Sequence, residues 1–182
     1  MDIKMKACNF SRTSQDSLVL PAVGMKAWSM QAGLIAAAVM LPAVAHLTGA
    51  PVRWLLPMHW PIIFAALIYG WRGGATVGLM APFSNWLLTG YPILIKAFPM
   101  TLELATYGFI IGWLRQRGWH AFAAVATGLA AGRIIFLAVI LFTGANELPV
   151  TQYLTAAMLP GLVVGVAQVI CLPTLAKMIT GR

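Results

Sequence analysis

Residues 97–114, AFPMTLELATYGFIIGWL, decide the fold: the stretch is nearly long enough to cross a bilayer as a helix and carries one charge, Glu103. Lys96 and Arg115 flank it. Further out, the stretch between Arg117 and Glu147 also holds a single charge, Arg133, and the runs 27–52, 54–71, 73–95 and 148–176 hold none. The whole chain is 60% hydrophobic and 9% charged, with a mean hydropathy of +0.85 over 182 residues. A soluble domain of this length has no interior large enough to hide so much apolar surface. The pattern predicts an all-α integral membrane protein. Six transmembrane helices are expected at about 27–48, 55–71, 74–90, 97–114, 119–143 and 151–178, forming one domain over 27–182 behind a cytoplasmic tail, 1–26.

The basic residues are distributed by side. With the N-terminus in the cytoplasm, Lys4, Lys6, Arg12, Lys26, Arg72, Arg115, Arg117, Lys177 and Arg182 fall inside, and Arg53 and Lys96 outside. Nine against two is the bias that sets membrane orientation, and it places both termini in the cytoplasm. The same bias accounts for the net charge of +8 without nucleic acid. The tail lacks a short apolar core and cleavage site, so no signal peptide is expected. Cys8 and Cys171 both fall on the reducing side; no disulfide is expected, and Cys171 reads as a packing residue. No Gly-rich phosphate loop is present, so any energy input comes from a partner or a gradient.

An ionisable group at membrane depth faces a bundle interior or a watery cavity, takes a partner, and marks a ligand or ion pathway. Two readings of Glu103 and Arg133 stay open: an internal ion pair joining two helices, or a pair of ligand contacts. Glu103 and Tyr107 share one helix face, four residues apart. Arg133 offers a planar fork for a carboxylate or phosphate. Asn85, Asn146 and Gln168 can orient polar groups, and Trp86 and Tyr91 can stack on a ring. His59, between Pro57 and Pro61, can hydrogen-bond a substrate or ligate a metal, although a lone His is commonly structural. Gln168 is equally suited to bridging helices. In the first span, Ala32, Gly33, Ala36 and Ala37 form a small-residue stripe that lets another helix approach, whether inside the bundle or on a partner. Glycines at 70, 73 and 74 fit a tight reversal between the second and third spans.

Several pieces occur in order: Leu56-Pro57-Met58-His59-Trp60-Pro61, the turn from Tyr69-Gly70 to Gly78, Gly90-Tyr91-Pro92, Glu103-Leu104-Ala105-Thr106-Tyr107-Gly108, Gly132-Arg133, Pro160-Gly161 and Leu172-Pro173. Together, across residues 30 to 175, they resemble the substrate-binding S components of energy-coupling factor (ECF) vitamin transporters. The resemblance implies a six-helix bundle in the bacterial inner membrane with an outward-facing cavity for a vitamin-like molecule. It also implies docking of the first helix, through Ala32 and Ala36, on a transmembrane scaffold served by two ATPases. No cofactor is implied. Solitary cobalamin transporters of the family make a corrinoid the first substrate reading. They use a cysteine near the cavity as cobalt ligand; here His59, Met58 or Met80 would have to serve. Pantothenate, biotin and queuosine precursors are the other vitamin readings.

Two further classes compete. An intramembrane enzyme needs a metal site or an activated nucleophile, but His46, His59 and His120 fall on different loops and sides, with no metal-spaced pair. A structural subunit of a membrane complex would co-purify with a partner and hold no small molecule.

Overall fold

The computed structural model describes residues 18–90, 94–144 and 150–180. Its elements are α1 (Met25–Leu47), the short α2 (Val52–Leu55), α3 (His59–Thr89), α4 (Leu94–Gln116), α5 (Ala121–Thr143) and α6 (Val150–Thr180). Among the described residues five helices, α1, α3, α4, α5 and α6, are long and apolar enough to cross a membrane. Where the sequence predicts second and third spans, the structure has two helices that follow each other without a loop, the two arms of α3, which meet at Gly70, whose φ of 69° and ψ of −164° are not helical.

The break is a reversal. A Cβ built on Gly74 would lie 2.6 Å from the Cβ of Ala66, eight residues earlier, whereas a straight helix separates such residues by about 12 Å. The two arms of α3 therefore fold back on each other. Only glycine takes this backbone conformation without cost, and Gly70 also sits against the Gln116 side chain. Breaking a helix frees carbonyls that must find donors. Leu20 N–H donates to Ile68 O at 2.6 Å, and buried Gln31 of α1 donates from Nε2 to Ala22 O at 2.9 Å, tying down the segment that does so.

All residues from Pro61 to Gly70 are buried, so the first arm of α3 is the central element. Its second arm packs antiparallel on α4 through glycines. Cβ atoms on Gly74 and Gly78 would lie 2.5 Å from the carbonyl oxygens of Gly108 and Leu104, and Gly108 and Gly112 abut the α3 backbone in return. Lipid tails supply no hydrophobic drive between helices, so backbone approach of this kind is the main source of cohesion. On its other face α4 meets α5, where Gly132 accommodates the Tyr107 ring and Gly128 the Ile111 side chain. The α5–α6 contact is much sparser. A cavity occupies that gap.

Candidate functional site

Glu103 is 2% exposed on α4. Its Oε1 accepts a hydrogen bond from Tyr107 Oη, one turn along, and lies 3.1 Å from Arg133 Nη1 of α5. The structure thus joins the two isolated charges directly. Gly132 makes the approach possible, because any side chain there would collide with Tyr107. Gly161 of α6 does the same from the other side: a Cβ on it would lie 2.6 Å from Arg133 Nη2, so the guanidinium lies flat against the α6 backbone.

Arg133 faces a cavity of about 640 Å³ between α5 and α6, within the range of pockets for small organic ligands. Leu129, Leu137, Met158, Val166 and Val169 line its apolar walls; its polar side chains are His59, Tyr107, Arg133 and Gln168. His59 is 4% exposed and Gln168 1% exposed. Both imidazole nitrogens of His59 and Nε2 of Gln168 are buried without a hydrogen-bond partner. Buried polar atoms are almost always paired, and each unpaired one costs roughly 1–3 kcal/mol. Three such atoms, two on His59 of α3 and one on Gln168 of α6, belong to residues that line this one cavity. His59 also packs on Tyr107, with ring centroids 5.4 Å apart. At the same rim Leu56 has φ 42°, the sole positive-φ residue other than glycine among those described, and lines the cavity. Backbone held in a rare region gathers at functional sites.

The other candidate residues lie elsewhere. Asn85 is buried and Trp86 half-buried near the C-terminal end of α3, and neither lines the cavity. Met58 is buried but outside the lining, and Met80 is 44% exposed. Tyr91 and Asn146 lie outside the described residues. Ala32 and Ala36 are exposed along α1, facing away from the bundle. Cys171, expected to pack, is exposed on α6. Among the described residues no cluster of His, Cys, Asp or Glu could hold a metal ion. Sequence reading missed Leu129 and Met158, and it quoted Leu56, Gly132 and Gly161 within motifs without giving them a part in the site.

The profile of the family "ECF transporter, substrate-specific component" matches residues 29–180. The chain belongs to this family. S components are the substrate-binding subunits of membrane transporters and not enzymes. No curated protein and no solved structure matches the chain.

Proposed function

We propose that this S component binds a vitamin-like small molecule in the α5–α6 cavity and presents it for uptake. The observation that carries the reading is the convergence of the unpartnered atoms of His59 and Gln168 with the Glu103–Arg133 pair on one apolar cavity. In this reading His59, Tyr107, Arg133 and Gln168 contact substrate, and Glu103 holds Arg133 in place. The exposed Ala32 and Ala36 face of α1 docks on the ECF transmembrane scaffold, with two ATPases supplying energy. The two arms of α3 count as separate passes, which makes six and keeps both termini in the cytoplasm of a bacterial inner membrane.

For a corrinoid, His59 is the supporting residue, since it lines the cavity, its imidazole nitrogens have no partner, and imidazole is a suitable cobalt donor. Size argues for something smaller: a corrinoid with its nucleotide loop exceeds 640 Å³. The test is to purify the full chain in lipid nanodiscs, record its absorbance, and identify retained small molecules by mass spectrometry. A stoichiometric small organic compound supports the proposal, and a coloured preparation identifies a corrinoid. An empty chain with a stoichiometric protein partner favours the structural-subunit reading and contradicts this one.

A further inference from the structure

Three features of the cavity constrain what it holds, given the reading above that it is the substrate site. The first is charge. Glu103 and Arg133 compensate each other at 3.1 Å, and among the described residues Arg133 is the one charged side chain in the cavity lining. Bringing an anion in would leave one negative charge uncompensated in an apolar setting, which is strongly disfavoured. The second is length. The lining runs from Met158 to Ile170 on α6 and from Ala126 to Leu137 on α5, a cleft about 17 Å long at the helical rise. The third is the placement of polar atoms. Gly161, against the Arg133 guanidinium, lies seven residues from Gln168, so the polar groups stand at two levels about 10 Å apart. Between those levels, Leu129, Gly165 and Val166 offer no polar side-chain atom.

The cleft also opens sideways. Ile134, Leu162, Val166 and Ile170 line it and are each more than half exposed, on helices whose outer faces meet lipid. A ligand's apolar body lying there is covered by acyl chains.

We propose that the cavity takes an elongated, electrically neutral amphipathic molecule. One uncharged group with both a donor and an acceptor, such as an amide, ureido or neutral heterocyclic edge, sits at the Arg133–Tyr107 level. A second polar atom, an acceptor, takes the hydrogen bond of Gln168 Nε2. His59 supplies one donor and one acceptor, as a neutral imidazole does. An anionic vitamin is disfavoured by the same charge balance that holds the site together.

A matched pair of probes tests this: 8-hydroxyoctanamide and 8-hydroxyoctanoate, identical in length and in their second polar atom, differing in charge. Binding to the full chain in nanodiscs of zwitterionic lipid at neutral pH is read as a ligand-dependent rise in unfolding temperature. The amide is expected to bind roughly tenfold tighter than the acid. Gln168→Leu is expected to weaken both probes, and Gly165→Leu, whose Cβ would meet only Leu129 at 3.7 Å, to fill the cleft and abolish both. Equal binding, or tighter binding of the acid, overturns the neutral-ligand inference and leaves the substrate site standing. Rises that persist unchanged in Gly165→Leu place the probes elsewhere and overturn the inference too. No rise with either probe overturns it as well. The substrate-site reading itself falls only if the nanodisc protein also retains no small molecule from its host cell.

Discussion

Glu103 and Arg133 are worth more to each other than either is worth alone. Removing one partner leaves a buried charge exposed to an apolar environment, which costs about 3–5 kcal/mol, whereas removing both charges together costs far less. Arg133→Gln is therefore expected to lower unfolding stability in detergent by about that amount, and the double variant Glu103→Gln/Arg133→Gln to recover much of it. Additive losses in denaturant titrations would contradict the pairing. Gln168 behaves in the opposite way. Its Nε2 is buried with no partner, so Gln168→Leu relieves a desolvation penalty and is expected to leave the empty protein as stable, or more stable by about 1 kcal/mol. In the proposed function a ligand that accepts from Gln168 Nε2 removes that cost when it fills the cavity. The two charges were legible in the sequence because they interrupt otherwise apolar stretches, and helical spacing put Glu103 beside Tyr107. Asn85 and Trp86 looked equally suitable as residue types. Their rotation away from the cavity depends on how α3 packs, which residue type does not encode.

At the scale of the helix, glycine decides which elements touch. Gly74→Ala puts a methyl group 2.5 Å from Gly108 O and 2.6 Å from Ala66 Cβ, an overpacking expected to cost about 1–3 kcal/mol. Gly33→Ala on the exposed face of α1 meets nothing within 4 Å and is expected to be neutral or to gain up to about 1 kcal/mol in helix propensity. Equal melting shifts for the two variants would contradict the packing described. The Gly70 reversal was legible as a glycine-rich turn, but its tightness was not. A turn of several residues and a single broken residue share one composition, and only the backbone contact between Gly74 and Ala66 separates them.

For the whole molecule, the proposed function puts binding and energy coupling on different faces. The cavity lies between α5 and α6 and opens sideways, whereas Ala32 and Ala36 lie exposed on α1. A bulky side chain on α1, as in Ala36→Trp, is expected to abolish uptake in cells carrying the ECF module while the purified variant retains substrate at the wild-type level. Loss of both together would show that α1 supports the cavity, against this division. Membrane character was legible from composition alone, and the family from scattered motifs, because both are properties of many residues at once. The cavity was not, since it arises where α5 and α6 fail to meet, and no local pattern records a gap.

The most direct test is the amount of small molecule retained per protein chain, measured by mass spectrometry on nanodisc preparations of the wild type, Gln168→Leu and His59→Leu. The account predicts near-stoichiometric retention in the wild type and at least a tenfold loss in both variants, with all three proteins folded. Undiminished retention in both variants would contradict it, because the molecule would then be held without the two side chains that define the site.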